Sequence, residues 1–314
     1  MDDVFNISGT RILPGENVVV KIPLGRLPVG NQLNMKVHVF RSPNPGPILL
    51  LTGGIHGDEI NGVEILRQVL ELQLFNQLKC GSVIVVPLVN IYGFISFTRD
   101  STDGKDINRS FPGSTHGSMA SKIAGIISRQ ILPWCTAGID FHSGSQSRFN
   151  FPQIRFTGRH SSAKALAEAF NAPFSLIKPF LQKSLRKTAF DMGIPILVYE
   201  GGETLRVDSF VIQQAIEGIK KVLNHLDMAL FRISPQENIL LKRMTWLRAN
   251  TQGLFYPTIQ NGSQVSRGQL IGWIHDLSEN INTAVVCNTN GYLICVNNRP
   301  VVYSGDPLFN IGIS

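Results

Sequence analysis

Residues 47–66, PILLLTGGIHGDEINGVEIL, decide the fold class of this chain. The stretch opens as a continuous apolar run, which is typical of a strand buried on both faces, and two glycines end it. After the polar residues, apolar side chains recur at helical spacing. Between the two patterns stand His56, Asp58 and Glu59. A buried strand that leads into a helix predicts an α/β unit, with these polar side chains at the carboxyl end of the strand.

The same alternation of apolar runs and helical repeats continues along the chain. Strands are predicted at 17–25, 35–40, 82–90, 137–144 and 194–202, and helices at 118–133, 162–170 and 208–226. This order indicates a largely parallel sheet covered by helices on both faces. Three of the apolar runs end in glycines, near 53, 141 and 201, and each of these ends carries His or Glu. Because chemistry gathers at the carboxyl ends of such strands, these ends are the candidate site.

Beyond about residue 240 the pattern changes to short β-type runs separated by NG, RG and SG turns. This pattern is typical of a small β-sandwich or barrel. We therefore predict one domain at 1–240 and a second, all-β domain at 241–314. No lysine follows Lys242, so the second domain cannot carry a lysine-linked prosthetic group as lipoyl and biotinyl domains do.

Composition limits the classes of function. The 314 residues carry a net charge of +7, but Lys and Arg are scattered and no nucleic-acid motif occurs, so we expect no nucleic-acid partner. No apolar stretch approaches the ~20 residues of a membrane span, and the first residues lack the pattern of a signal peptide. The four cysteines have neither zinc-finger nor disulfide-framework spacing. We expect a cytoplasmic protein that acts on small, acidic molecules.

His56 and Glu59 form an HxxE pair, and His142 follows at another strand end. In hydrolytic zinc sites, two of the ligands are often separated by a few residues and the third comes much later in the chain. Two histidines and a glutamate with this spacing are a typical ligand set. Ligand imidazoles need a partner on their other nitrogen, and Asp106 and Asp140 are candidates, although Asp140 could equally face the core or cap a turn. The alternative for the pair is a helix-capping acid beside a structural histidine.

Glu200 ends the apolar run ILVYEGGE and is the candidate general base for a zinc-bound water. Glu203 is the competing choice, further along the loop. Arg99, Asn108 and Arg109 lie in the loop 99–113, where a guanidinium and an amide suit a substrate carboxylate and a second guanidinium suits an oxyanion. The alternative is a surface loop with solvated arginines.

Together, the stretches GGIHGDEING, RDSTDGKDINRSFPG, DFHSG and PILVYEGGE resemble the succinylglutamate desuccinylase/aspartoacylase family, part of the zinc-carboxypeptidase-like superfamily. They occur in the family's order and cover roughly residues 35 to 225. The resemblance implies a zinc-carboxypeptidase-like central mixed β-sheet flanked by helices. It also likens the carboxyl-terminal part to the half-barrel that one branch of the family carries.

The resemblance further implies one zinc ion per chain and a role for each candidate residue. Zinc would be bound by His56, Glu59 and His142, and Glu200 would promote the attacking water. Asn108 and Arg109 would hold the substrate carboxylate, and Arg99 would polarise the scissile carbonyl. Asp106 would orient the first histidine, and Ser143 would line the pocket.

Three functions remain open on the sequence. The first is a zinc-dependent deacylase that cleaves the amide of a small N-acetyl or N-succinyl amino acid. The second is a metallocarboxypeptidase or peptide amidase with the same chemistry. The third is a non-enzymatic, ligand-binding relative, which is disfavoured because every candidate ligand, base and arginine is present. A homo-oligomer is possible in each case.

Overall fold

The computed structural model describes residues 4–278 and 281–314. The helices lie in the first 225 residues and are α1 (Ile60–Glu71), α2 (Ile91–Ser96), α3 (Met119–Ile126), α4 (Ser161–Phe170), α5 (Leu185–Asp191) and α6 (Ser209–His225). The strands of the same part are β1 (Phe5–Ile7), β2 (Thr10–Ile12), β3 (Asn17–Arg26), β4 (Gln32–Arg41), β5 (Ile48–Gly53), β6 (Ser82–Val86), β7 (Ala137–Gly144), β8 (Arg148–Phe156), β9 (Phe174–Ile177) and β10 (Ile196–Glu203). The carboxyl-terminal strands are β11 (Ile239–Leu241), β12 (Arg243–Arg248), β13 (Gly253–Pro257), β14 (Gln264–Val265), β15 (Leu270–His275), β16 (Asn282–Val286), β17 (Gly291–Asn297), β18 (Val301–Val302) and β19 (Pro307–Ile313).

A mixed sheet forms the centre of the fold. Its strands run in the order β12-β19-β17-β8-β10-β7-β5-β6-β4-β3. The four middle strands, β10, β7, β5 and β6, are parallel, and β8 and β4 flank them antiparallel. The four parallel strands therefore end at the same edge, and the loops that follow them gather there.

Apolar side chains cover both faces of this sheet. On one face α1, α4 and α6 pack over residues such as Leu51, Phe141 and Tyr199. On the other, α3 and α5 pack over residues that include Leu50 and Ile84. β5 and β6 supply side chains to both clusters, and this two-sided burial explains their continuous apolar sequence.

A close approach between α1 and β7 brings two candidate segments together. A Cβ atom at Gly62, in the first turn of α1, would lie 2.6 Å from the carbonyl oxygen of Phe141. Only glycine allows the helix to come this near. The helix start that carries Glu59 is thereby held against the strand end that carries His142.

The carboxyl-terminal strands divide between two sheets. β13, β15, β16 and β18 form a separate four-stranded sheet, whereas β12, β17 and β19 extend the central sheet, with β17 pairing with β8. Side chains of both sets meet in one core that includes Phe255, Ile274, Leu293 and Phe309. The region is all-β, as predicted. The domain boundary near residue 240 stays a prediction.

The predicted mixed α/β fold is confirmed, with local differences. The strand expected at 82–90 ends at Val86, directly before Pro87. The helix expected at 118–133 is α3 followed by a π-helical turn at Ile127–Ile131 and a 3-10 turn at Leu132–Trp134, where Pro133 cannot continue an α-helix. Six α-helices and β-strands of the first 225 residues were not predicted: β1, β2, α2, β8, β9 and α5.

Within the described residues, no helix is long and apolar enough to cross a membrane. The four cysteines, Cys80, Cys135, Cys287 and Cys295, are free thiols.

Candidate active site

Three neighbouring strands deliver the candidate residues to one place. β7 lies between β5 and β10, and Glu200 of β10 pairs in register with His142 of β7. The loop after β5 carries His56 and Glu59, and α1 begins directly after Glu59. The sequence places these residues up to 144 positions apart, and the parallel sheet brings their strand ends side by side.

His56, Glu59 and His142 form a compact, buried group whose donor atoms face one another. The Nδ1 atoms of the two histidines are 3.2 Å apart. One carboxylate oxygen of Glu59 lies 2.7 Å from His56 Nδ1, and the other lies 2.8 Å from His142 Nδ1. One donor atom from each residue falls within 4.8 Å of the others, so the group could hold a metal ion.

Glu59 occupies the position that caps α1, but its side chain makes no capping hydrogen bond within the described chain. The carboxylate instead turns towards the two histidines and accepts a hydrogen bond from the backbone N–H of Ser143, at 2.9 Å. Burial alone would raise the pKa of Glu59, but His56 and His142 hold it well below its usual range. The geometry thus favours the ligand interpretation over the capping alternative.

Asp140 and Asp106 hold the outer nitrogens of the two imidazoles. His142 Nε2 lies 2.7 Å from Asp140 Oδ2, whose other oxygen accepts a hydrogen bond from the Thr52 hydroxyl at 2.8 Å. His56 Nε2 lies 3.3 Å from Asp106 Oδ1. Burial would lower the pKa of His142, but Asp140 and Glu59 raise it well above its usual value. With the outer nitrogens bound to carboxylates, both rings present Nδ1 to the centre of the group, which is the arrangement that metal-binding histidines adopt.

The loop 99–113 is tied to this group rather than being a free surface loop. Arg99 donates to Glu59 Oε1 at 3.1 Å and to Asp106 Oδ2 at 2.9 Å. Asp106 also accepts from the backbone N–H of Asn108 at 2.7 Å, which shapes the short 3-10 turn Ile107–Arg109. Burial would raise the pKa of Asp106, but His56 and Arg99 hold it far below its usual value.

Asn108 and Arg109 leave donors for a ligand. The Asn108 side-chain oxygen accepts from the backbone N–H of Leu185 at 2.9 Å, so its amide nitrogen stays available. Arg109 Nη1 donates to the Asn108 carbonyl at 2.8 Å and lies 3.8 Å from Asp106 Oδ2. The Arg109 side chain is 45% exposed, and its other donors have no partner among the described residues.

Glu200 and Glu203 differ in their partners and in their position relative to the cavity. Glu200 accepts hydrogen bonds from Arg155 at 2.6 Å and Asn150 at 2.9 Å, and its side chain is among those that line the cavity beside the histidines. Glu203 is buried and bonded to Asn298 and Arg206, and it is absent from the described residues that line the cavity. The geometry therefore favours Glu200 as the residue that can reach a substrate.

These side chains border one cavity of about 330 Å³. The ten predicted residues are distributed as follows: His56, Glu59, Arg99, Asn108, Arg109, Asp140, His142, Ser143 and Glu200 line it, and Asp106 stands behind His56 and Arg99. The carboxyl-terminal strands contribute a further wall, which includes Met244, Trp246, Cys295 and Asn310.

Sequence reasoning missed the residues on the remaining side of the cavity. Asn150 and Arg155 lie on β8, whose alternating sequence RFNFPQIRF carries the signal of a strand. Lys178 follows β9, and Arg186 lies in the first turn of α5. No local pattern marks these two cations, because only the folded chain brings them to the cavity.

Comparisons with known proteins match both the sequence and the fold of this chain. The model of the succinylglutamate desuccinylase/aspartoacylase catalytic domain matches residues 45–226. The chain is 32% identical over 251 residues to the N-alpha-acetyl-L-2,4-diaminobutyric acid deacetylase of Halomonas elongata, a match that covers 74% of this chain and 72% of that protein.

Solved structures share the whole architecture. The succinylglutamate desuccinylase/aspartoacylase of Rhodobacter sphaeroides superposes with a TM-score of 0.82 at 26% identity, covering 95% of both chains. The product-bound ectoine utilization protein EutE (DoeB) of Ruegeria pomeroyi has the same fold, with a TM-score of 0.81 at 24% identity and 95% coverage of both chains. The matched catalytic domain and the curated relative together show that this chain is an amidohydrolase of the succinylglutamate desuccinylase/aspartoacylase family.

Proposed function

We propose that the protein is a zinc-dependent deacylase that hydrolyses the amide bond of a small N-acyl amino acid. The observation that carries this proposal is the meeting of a buried His56–Glu59–His142 group with Glu200 and Arg109 around one cavity. The relative from Halomonas elongata, which is named as a deacetylase of an N-acetyl amino acid, supports the reaction class.

The donor set fits zinc. Two neutral imidazoles and one carboxylate are the protein ligands of many hydrolytic zinc sites, which keep another position for water or substrate. The fit is supported by Asp140 and Asp106, which fix the outer nitrogens of His142 and His56. A zinc ion in this position would lower the pKa of a water molecule to ~7 and polarise a carbonyl group.

Glu200 is the proposed general base. It takes a proton from the water that attacks the carbonyl carbon, and it delivers that proton to the amide nitrogen as the C–N bond breaks. The second proton of the water leaves the new carboxyl group for the amine, so the products are a carboxylate and a protonated amine. Arg155 and Asn150 each bind one of its oxygens, so they hold the carboxylate in a defined orientation.

The arginines have separate proposed tasks. Arg109 binds the substrate carboxylate, and the free amide nitrogen of Asn108 adds a second donor. Arg99 is proposed to stabilise the negative charge that develops on the carbonyl oxygen, since its contact with Glu59 keeps it beside the histidine group. Ser143 helps to form the wall next to His142.

The size of the cavity favours a small substrate over a peptide. Its volume is about 330 Å³, and Met244 and Trp246 of β12 contribute to its wall. A metallocarboxypeptidase or peptide amidase would need room for an extended chain. We accordingly keep the prediction of a small-molecule substrate. The cytoplasmic location stays a prediction from the sequence.

Amine release from a substrate panel tests the proposal. The purified protein, reconstituted with zinc, is incubated with N-acetyl and N-succinyl amino acids and with short peptides, and the freed amine is detected with a fluorogenic reagent. We expect N-acyl amino acids to be cleaved, with activity lost to a chelator and restored by Zn²⁺. Faster cleavage of the peptides would point to the carboxypeptidase alternative, and hydrolysis that survives complete metal removal would refute the zinc mechanism.

A further inference from the structure

One buried amide joins the strand ends that carry the candidate residues. Asn61 lies in the first turn of α1, two residues after Glu59, and it is fully buried. It is absent from the described residues that line the cavity, so the proposed reaction gives it no task. An asparagine inside a helix is less favourable than an alanine, because its side chain competes with the backbone for hydrogen bonds. The reason for an asparagine at this place lies in its partners.

The hydrogen bonds of Asn61 lead to the segment that follows Glu200 in β10, residues 203–208, which we call the β10–α6 loop. Asn61 Oδ1 accepts from the backbone N–H of Asp208 at 2.9 Å. Its Nδ2 donates to the carbonyl oxygen of Arg206 at 2.9 Å and to that of Glu203 at 3.2 Å. The reversed amide would set its oxygen against these two carbonyl oxygens, so the partners fix the orientation of the side chain.

The same amide reaches the end of β7. Asn61 Nδ2 lies 3.3 Å from the hydroxyl oxygen of Ser143, whose backbone N–H donates to Glu59 at 2.9 Å. A backbone hydrogen bond runs beside this contact, from Thr204 N–H to the Gly144 carbonyl at 3.1 Å. The start of α1, the end of β7 and the β10–α6 loop are thereby held together around one side chain.

Glu200 is the last residue of β10 before the strand becomes irregular. The pairing of β10 with β7 shifts between Glu200 and Glu203, and its pairing with β8 shifts between Glu200 and Gly202. Gly202 has a φ of 73°, and a Cβ atom there would lie 2.6 Å from Asn61 Nδ2. Only glycine lets the bulged backbone pack against the asparagine in this way. Bulges beside active sites commonly set the direction of a neighbouring side chain, and here that side chain is Glu200.

We propose that Asn61 is a positioning residue that fixes Glu200 relative to the His56–Glu59–His142 group. It acts by holding the β10–α6 loop, and with it the bulge that follows Glu200, against the start of α1. This inference rests on the proposed function, because it takes Glu200 as the general base. A displacement of a catalytic group by about 1 Å can lower a rate by about 100-fold, so a fixed strand end matters for the reaction.

Loss of the amide should slow the reaction without weakening substrate binding. Zinc-loaded Asn61→Ala is expected to have a kcat lower by about 10–100-fold and a KM changed by less than about threefold. Asn61→Asp keeps the size of the side chain but lacks the amide hydrogens, and the same loss is expected. Steady-state amine release measures both constants. Zinc content shows that the metal is retained, and thermal unfolding shows that each variant is folded.

Asn224→Ala is the matched control, because the Asn224 amide also bridges a helix and the chain beyond it. It lies on α6, accepts from the backbone N–H of Phe231 at 2.7 Å and donates to the Phe231 carbonyl at 2.8 Å. Asn224 is absent from the described residues that line the cavity. This variant loses comparable hydrogen bonds, so its unfolding temperature should fall while its kcat stays within about twofold.

A double-mutant cycle assigns the effect to Glu200. In the Glu200→Gln background, Asn61→Ala should lower kcat by less than about threefold, because the group that it positions is already lost. A merely structural defect would lower kcat by the same factor in both backgrounds. An equal factor in the two backgrounds, or an unchanged kcat in both Asn61 variants, would overturn the inference.

Hydrogen exchange separates a failure of this inference from a failure of the proposed reaction. Zinc-loaded Asn61→Ala and Asn224→Ala are exchanged in deuterated buffer, and their peptides are analysed by mass spectrometry. The amides of residues 199–208 should exchange about tenfold faster in Asn61→Ala than in Asn224→Ala, because the strand end has lost its tether. Faster exchange in a protein that cleaves no N-acyl amino acid would remove only the deacylase function and would leave Asn61 as the residue that holds this strand end. Equal exchange of residues 199–208 in the two variants would overturn the inference whether or not a substrate is cleaved.

Discussion

The two ends of the cavity differ in whether their charged side chains have oppositely charged neighbours. At the histidine group every charged side chain has an opposite neighbour: Glu59 lies between two imidazoles, and Arg99 binds two carboxylates. The opposite end is formed by Arg155, Lys178 and Arg186, which we call the cationic wall. Arg155 is ion-paired with Glu200 there, whereas no carboxylate of the described residues lies within 4.0 Å of Lys178 or Arg186. The first end is organised around donor atoms that face inward, as a metal site requires, and the second leaves positive charge for a ligand.

The largest effect is expected from removing a ligand at the histidine group. His142→Ala should abolish stoichiometric zinc binding and lower kcat/KM by more than about 10⁴-fold, because it removes both a ligand and the metal-dependent activation of water. Elemental analysis of the purified variant measures the zinc content, and amine release measures the activity.

His225→Ala is the control for that variant, since His225 lies at the end of α6. It should keep full zinc content. Full zinc content in His142→Ala as well would mean that the third ligand lies elsewhere.

The next largest effect is expected from Glu200, which stands between the two ends of the cavity. Glu200→Gln should keep zinc and lower kcat by about 10²–10⁴-fold, the range over which a general base contributes. Steady-state kinetics together with the zinc content of the same sample test this.

Glu203→Gln is the matched control, because Glu203 lies on the same strand but contacts Asn298 and Arg206 instead of the cavity. Its kcat should fall by less than about tenfold. If instead Glu203→Gln lost kcat and Glu200→Gln kept it, Glu203 would be the general base.

The Arg109 guanidinium should affect binding more than chemistry. Arg109→Met should raise KM by about 10–100-fold with little change in kcat, since a charge-assisted hydrogen bond to a carboxylate is lost equally in ground and transition states. Arg67→Met serves as control, because Arg67 is exposed and paired with Glu64 and Glu71 on α1. A fall in kcat with unchanged KM would instead place Arg109 at the reacting carbonyl.

The two ends also differ in how far the sequence predicts them. His56, Glu59, His142 and Glu200 lie where apolar runs meet glycines, so the strand ends could be recognised locally and a parallel sheet predicted to join them. The fold class and the histidine group were therefore within reach of sequence reasoning.

The cationic wall could not be predicted from the sequence, because its position depends on pairing between strands that are distant in the chain. β8 returns antiparallel beside β10, and β9 pairs with β8, which brings Arg155 and Lys178 to the cavity. Arg186 arrives through α5, whose first backbone N–H is bound by Asn108 from another loop. Such contacts between distant segments leave no periodic signal in a single sequence.

The smallest effect is expected at Asp58, the third polar residue of the opening stretch. Asp58 is absent from the described residues that line the cavity, and its backbone carbonyl accepts from Leu205 N–H at 2.9 Å. Its Oδ1 is buried and has no hydrogen-bond partner among the described residues. Asp58→Asn keeps the shape of the side chain, so kcat/KM should change by less than about threefold and the free energy of unfolding by about 0.5 kcal/mol or less. Kinetics and thermal unfolding of the variant measure both. A hundredfold loss of activity with zinc retained would mean that the charge balance of the histidine group extends to Asp58, and the contrast between the two ends would then have to include it.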